Sequence, residues 1–438
     1  MMSRVRPVLV LFLALLFAAC AHASGTLFGL RNPGDGGRQV VIVDPVTGVV
    51  TPVSASISPP LPSASGVNAL DAGGHRFFFI ATPSSETDSR LFTVDTQTGA
   101  LLSSPTIAGS AAAPFQSLDY DAGEAALYGL RNPGDAGRQV VRIDVATAAV
   151  TPVSVSIAPP NAAPSGVSAL DAPGNRFFFV GTPSPDPNQH IYTVNTATGA
   201  IISSPVVSAG VGVLGMVYDE AESKLFIWQN PGDGGRQIAL LDPATGAVTP
   251  VSASIAPPLG SSSGVLALDA AGNRIFFAGV PAAETDSRLY TVDTNTGAVI
   301  SNPTVVGSAI QFFSGLEFAP PAPPPVITVV IDIKPGSFPN SVNVGSSGVI
   351  PVAIMTTPSF DATTVDASTV RFGPGNAVEA HGRGHLEDVD GDGHLDMVLH
   401  FRTDASAIPC GATSATLTGQ TTGGQAITGT DSVRTICR

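Results

Sequence analysis

One pattern is written six times along this chain, and it leaves few folds open. "RQVVIVDPVTGVV" begins at Arg38; its relatives are "SRLFTVDTQTGAL", "RQVVRIDVATAAV", "HIYTVNTATGAI", "RQIALLDPATGAV" and "SRLYTVDTNTGAV". Between the copies lies a second pattern: "GVNALDAGGHRFFFIA" at 66–81, "GVSALDAPGNRFFFVG" at 166–181 and "GVLALDAAGNRIFFAG" at 264–279, with degenerate versions at 115–130 and 214–229. The repeating unit is therefore about fifty residues long. Each unit reads as four short strands. A Gly-Val-x-Ala-Leu-Asp strand comes first, then an aromatic strand such as Arg76 to Ile80. A third follows, such as Arg90 to Asp95, and after a Thr-x-Thr-Gly turn a short fourth, such as Ala100 to Leu102. Runs of β-branched and aromatic residues bounded by turn residues predict strands. Four of them per unit predict one blade of a β-propeller, which must bury its faces against neighbouring blades.

The ends of the repeat fix the expected count. The repeat opens at "TLFGL", a second strand without a first, and closes at "FFSGLEFA" (312–319), a first strand with nothing after it. The two fragments complement each other. The expectation is a ring of six blades over about 25–319, sealed by the C-terminal strand entering the N-terminal blade, which also removes exposed sheet edges.

Alternate units carry the same octapeptide between strands two and three: "NPGDGGRQ" at 32–39, "NPGDAGRQ" at 132–139 and "NPGDGGRQ" at 230–237. Pro then Gly at the centre of a four-residue turn suits a type II turn, which is the structural reading. The functional reading is threefold display, with Asp35, Asp135, Asp233 and Arg38, Arg138, Arg236 ringing the channel mouth as ligand-binding residues. The strand-end carboxylates Asp71, Asp171 and Asp269 start tight turns on the opposite face, where they are expected to cap them.

Composition narrows the function classes. The formal net charge of −14 argues against nucleic-acid binding, which needs a basic surface. At the N-terminus, Arg4 and Arg6 precede an apolar run from Val8 to Ala19, and Ala21-His22-Ala23 fits a cleavage site; residues 1–23 read as a signal peptide. The run is too short to span a bilayer, and no second one is long enough. The rival reading is a lipoprotein signal, with Cys20 carrying the lipid. After cleavage at Ala23 two cysteines remain, Cys410 and Cys437, an even count that in an oxidising compartment predicts one disulfide, worth roughly 3–4 kcal/mol for a loop of this size.

A Pro-rich linker at 320–325 ends the repeats. Beyond it, 326–438 shows short alternating strands between Gly, Pro and Asn turns and predicts a small β-sandwich. Its sharpest motif is "DVDGDGHLD" at 388–396. Calcium takes six to eight oxygens from a loop that curls around it. Asp388, Asp390, Asp392 and Asp396, with the carbonyl of His394, are placed to supply them. The bidentate Glu of a helix-loop-helix site is missing, because Leu399 stands there, and "LDMVLHF" reads as a strand. Ca2+ is therefore the expected cofactor. Beside the motif lies "HGRGH"; proximity alone suggests His381 and His385 as zinc ligands with His394 as a third.

The stretches "IDIKPGSFPNSVNV", "GVIPVAIM", "FDATTVDASTVRFGP", "HGRGHLEDVDGDGHLDMVLHF" and "DSVRT" together cover most of 329–435. In them the chain resembles a module of secreted and surface proteins of bacteria and archaea. That resemblance implies a non-catalytic appendage and names no ligand. The repeat half is similar in a general way to six- and seven-bladed propellers with a "VD-x-x-TG" signature, a strand-turn device that fixes no activity.

The reading these features favour is a secreted binding or surface protein whose partner is an extracellular protein or polysaccharide. The alternative is an extracellular lactonase-like hydrolase with a metal in the central channel. Such a site needs Glu, Asp and Asn on the innermost strands, and there Asn68 is the lone candidate. His75 and His190 are isolated, so no catalytic residues are assigned.

Overall fold

The computed structural model describes residues 25–57, 60–62, 66–163, 166–208, 212–256, 258–260, 264–309, 313–321 and 325–437. The signal segment 1–23 and Cys20 lie outside them. The chain divides into two compact units, Met1–Ala322 and Pro323–Arg438. Among the described residues no helix is long and apolar enough to cross a membrane.

The first unit is built from antiparallel sheets with four principal strands each, to two of which a two-residue strand is added, Asn161–Ala162 and Leu259–Gly260. Asn68–Asp71, Arg76–Ala81, Arg90–Asp95 and Leu101–Ser103 form one, in that order. The same order recurs in the sheets that begin at Phe115, Ser168, Gly212 and Leu266. The sixth is assembled from both ends of the repeat: Phe313–Ala319 pairs antiparallel with Thr26–Arg31, in the register Leu27↔Phe318, Phe28↔Glu317 and Gly29↔Leu316. The innermost strands contact one another in a closed cycle that runs through Phe313–Ala319. This is a β-propeller, as the repeat predicts.

The sequence of the second strands explains the packing. Phe77, Phe78 and Phe79 are consecutive and all fully buried, which needs apolar contacts on both faces of the sheet. Successive side chains of a strand point to opposite faces. Phe78 packs on Phe115 and Leu118 of the following sheet, whereas Phe77 and Phe79 pack on Leu30 and Val40 of the preceding one. Burial of each such side chain contributes about 1.5–3 kcal/mol. The same division recurs around the ring, so each sheet shares one apolar core with each neighbour; the core joining Leu27 and Val41 to Phe276 and Leu289 completes the circuit.

Three glycines meet where the ring narrows. Gly66, Gly166 and Gly264 precede the first strands of alternate sheets, with φ of +71°, +71° and +75°. Each donates its N–H to the neighbouring inner strand, at Ser314 O, Gln116 O and Leu214 O. A Cβ on Gly66 would lie 2.5 Å from Gly166 Cα, and one on Gly264 would lie 2.6 Å from the same atom. Only glycine allows both the left-handed backbone and this approach. The trio closes the channel on the face that carries the long loops.

In the second unit, two four-stranded sheets share one core. One contains Ile331–Ile333, Val349–Ile354, Asp396–Arg402 and His385–Glu387; the other contains Ile327–Thr328, Ala426–Ser432, Ser414–Thr421 and Val365–Phe372. Ile333, Val352, Leu399 and Phe401 of the first meet Val370, Phe372, Leu417 and Ile427 of the second. Cys410 and Cys437 are joined in a disulfide, with Cα atoms 5.9 Å apart.

Gly264→Ala is expected to lower stability by about 2–4 kcal/mol, from the left-handed backbone plus overpacking against backbone that cannot yield. Urea unfolding followed by tryptophan fluorescence checks it; an unchanged midpoint would show that the three backbones do not pack at the axis.

Candidate functional site

The channel forms a cavity of about 980 Å³, lined from Ala69, Leu118, Ala169, Met216, Leu266 and Glu317 down to the turns at the face opposite the glycine trio. Most of its wall is apolar, but two carboxyls reach it. Asp119 and Glu317 occupy the inner-strand position held by Ala69, Ala169, Val217 and Ala267 in the other four sheets. Each is met by the following sheet. Asn68 Nδ2 donates to Glu317 Oε1 at 2.8 Å, and Ser168 Oγ donates to Asp119 Oδ2 at 2.6 Å. The third equivalent pair is apolar, Leu266 against Val217. The threefold pattern of the ring thus carries two acid–donor pairs and one apolar pair.

Burial sets the protonation of this pair. It raises Glu317 well above the usual carboxylate range, the Asp119 charge raises it further, and the Asn68 amide opposes both. Burial likewise pushes Asp119 up to about 6, against the Ser168 hydroxyl. Asn68 is buried and its Oδ1 has no hydrogen-bond partner in this structure; it packs against Gly315, where any side chain would collide with it. Sequence reasoning found Asn68 and missed Asp119 and Glu317. The signal was present: "SLDYD" and "GLEFA" place an acid where the other copies place Ala or Val.

The residues of the repeated octapeptide serve their own loops. Asn32 Oδ1 accepts from Gly34 N and Gly36 N, and Asp35 Oδ1 from Gly37 N at 2.8 Å. Arg38 is buried and donates to Gly37 O; Arg138 and Arg236 repeat this with Gly137 and Gly235, and Arg236 also lies over the Trp228 ring. Gln39 bridges Arg31 and Ser54 O. The expectation that the three arginines ring a channel mouth therefore gives way: desolvated guanidinium groups hold glycine carbonyls, and the axis at that face belongs to the glycine trio. Asp35, Asp135 and Asp233 do remain exposed, each capping the N–H two residues on. Asp71, Asp171 and Asp269 cap their turns as expected, accepting from Gly74, Gly174 and Gly272 and pairing with Arg76, Arg176 and Arg274.

In the second unit the acidic motif forms an exposed loop. One carboxylate oxygen from each of Asp388, Asp390 and Asp392 lies within 4.8 Å of the others. Gly391 and Gly393 supply its positive φ angles, +78° and +89°. Asp388 accepts from Gly391 N and Gly393 N, Asp390 from Asp392 N, and Asp392 from His394 N. Asp396 is buried; its two oxygens take the N–H groups of Thr356 and Val389, anchoring the loop to the sheet. A second cluster joins Glu379, His381 and His400, with His385 stacked on His400. His394 is not among its members, so the histidine that joins His381 and His385 is His400, from the neighbouring strand.

A family whose description reads "Repeat of unknown function (DUF6923)" matches residues 78–265. No curated protein matches the chain. Among solved structures, TolB from Acinetobacter baumannii is 14% identical, covering 68% of this chain and 67% of that one with a TM-score of 0.45. A nidogen/laminin complex is 11% identical, at 68% and 98% coverage and 0.46. A putative 6-phosphogluconolactonase from Bacteroides uniformis is 12% identical, at 67% and 99% coverage and 0.42. Similarity at this level carries no functional argument.

The channel acids make stability depend on pH. Asp119 has a folded value raised above its unfolded one, so its contribution is full below about pH 4 and lost as pH rises through about 6. Asp119→Asn keeps an acceptor for Ser168 and carries no charge. It is expected to be more stable than the wild type at pH 7.5, by about 1–3 kcal/mol, with the difference vanishing near pH 4. Urea midpoints at both pH values check this; an equal difference at both would show that Asp119 titrates normally.

Proposed function

We propose that the protein is a secreted, non-catalytic binding protein, with a six-bladed propeller as its interaction platform and a calcium-stabilised β-sandwich as an appendage. The observation that carries this reading is the glycine trio. It brings three backbones together at the axis on the face with the long loops, and on that face Asp35, Asp135 and Asp233 are exposed and recur in alternate sheets. A surface of that symmetry suits an extracellular protein or a polysaccharide. Secretion rests on the pattern of residues 1–23 and accords with the disulfide.

Calcium would be held by Asp388, Asp390 and Asp392 with the His394 carbonyl, and Asp396 would position the loop. The donors fit: hard oxygens only, exposed, and mutually repulsive without a cation. Bound calcium would neutralise the loop and stabilise the second unit.

The alternative, a lactonase-like hydrolase with a metal in the channel, is favoured by Glu317, which Asn68 of the following sheet meets, and by Asp119, whose charge acts on Glu317. Against it, each carboxyl is already engaged by one neighbour.

Glycan and peptide arrays probed with the wild type and with the triple variant Asp35→Ala, Asp135→Ala, Asp233→Ala test the platform. At least tenfold weaker capture by the triple variant is expected; unchanged capture of every hit removes the threefold surface. Lactone hydrolysis by the wild type that Glu317→Gln abolishes would favour the enzyme instead. For the appendage, calorimetry should show calcium binding to the full chain, weakened at least tenfold by Asp390→Asn and accompanied by a higher Tm in the wild type. Heat of binding unaltered by Asp390→Asn would refute the assignment.

A further inference from the structure

Four of the seven histidines lie within residues 381–400, and three of these meet on one face of a sheet. The strand Asp396–Arg402 sends Met397, Leu399 and Phe401 into the core, so the alternation of side chains puts His400 on the outer face. His385, on the paired strand Glu387–His385, stacks on His400 with ring centroids 5.4 Å apart. His381 approaches His400 edge-on at 5.2 Å. Below them sits Glu379, a carboxylate almost wholly removed from solvent. Its Oε2 accepts from His381 N and Arg383 N, and its Oε1 accepts from His400 N and lies 3.4 Å from His381 Nδ1. Those backbone bonds fix the turn that carries His381 against the strand that carries His400.

We propose that His381, His400 and Glu379 form a binding site for a transition-metal dication, with zinc as the ion whose chemistry fits best, and that His385 or a water completes the coordination. One ligand atom from each of the three residues lies within 4.8 Å of the others. A tetrahedral zinc with bonds of about 2.0–2.1 Å needs its ligand atoms roughly 3.4 Å apart. The contraction required is small, and the exposed His381 ring is free to make it. Imidazole nitrogens prefer zinc over calcium, and a buried carboxylate that also orients the histidine backbone is the partner such ligands use. The neighbouring Asp388–Asp392 loop offers only oxygens and suits the harder ion. The second unit therefore carries two sites of opposite chemistry within some twenty residues, on the two ends of the same hairpin.

The untagged full chain, stripped with a chelator and then saturated with calcium, should bind about one equivalent of Zn2+ by calorimetry. His381→Gln and His400→Gln should each weaken this at least tenfold. Asp390→Asn should leave it unchanged, as should the pair His75→Gln and His190→Gln in the first unit. Thermal midpoints without metal verify folding; if His400→Gln does not fold, His381→Gln at its exposed position carries the test. Zinc affinity equal in the wild type and both cluster variants would overturn the proposal. So would a loss seen in Asp390→Asn alone, which would place the zinc in the acidic loop.

Discussion

Everything in the first unit depends on one antiparallel pairing between the two ends of the repeat. Phe313–Ala319 lies beside Thr26–Arg31, two segments nearly three hundred residues apart in sequence. Without it the ring would have two open edges and two unfilled apolar faces, because each sheet leaves half of its aromatic strand for a neighbour. Small residues make the junction fit. Gly29 faces the Phe313 ring, and a Cβ there would come within 2.8 Å of it; Gly315 gives way to Asn68. Closure therefore satisfies hydrogen bonding and burial together, and the loop-bearing face follows from it.

Two kinds of interaction share the work of the repeat. Apolar side chains on both faces of each sheet join it to its neighbours. Short polar networks fix the turns: Asp to the N–H groups that follow it, Asn32 and Asp35 to glycines, Arg38 to a glycine carbonyl. These local bonds account for much of the repeated octapeptide, in which Asn32, Asp35 and Arg38 hold backbone groups of their own loop, and the second copy differs from the others only at Ala136. Exposed carboxylates remain on the surface, and the buried arginines add no charge to it.

The functional candidates are departures from the regular patterns. Asp119 and Glu317 stand where four other copies have Ala or Val, and each carboxyl faces the one polar donor, Ser168 or Asn68, that its neighbour provides. A half-buried acid in a mostly apolar channel costs stability when ionised, so its presence is not explained by packing. In the second unit His400 is the half-buried residue on the outer face of a strand whose other face packs in the core, and Glu379 is buried beneath it.

By itself the sequence determined the class of the first unit, the strand order within each repeat, the complementary ends, the turn-capping role of Asp71, Asp171 and Asp269, and the pairing of Cys410 with Cys437. These follow from periodicity, from turn chemistry and from there being only two cysteines beyond residue 23, all of which act over short spans or by elimination. The acidic loop was legible for the same reason, since its carboxylates are nearest neighbours along the chain. Tertiary structure decided the rest. Only the closed ring brings Gly66, Gly166 and Gly264 to one point, sets Glu317 against Asn68 across 249 residues, and buries the arginines that looked available for binding. Only strand pairing selects His400 over His394 as the companion of His381, because register across a sheet, and not distance along the chain, decides which side chains share a face.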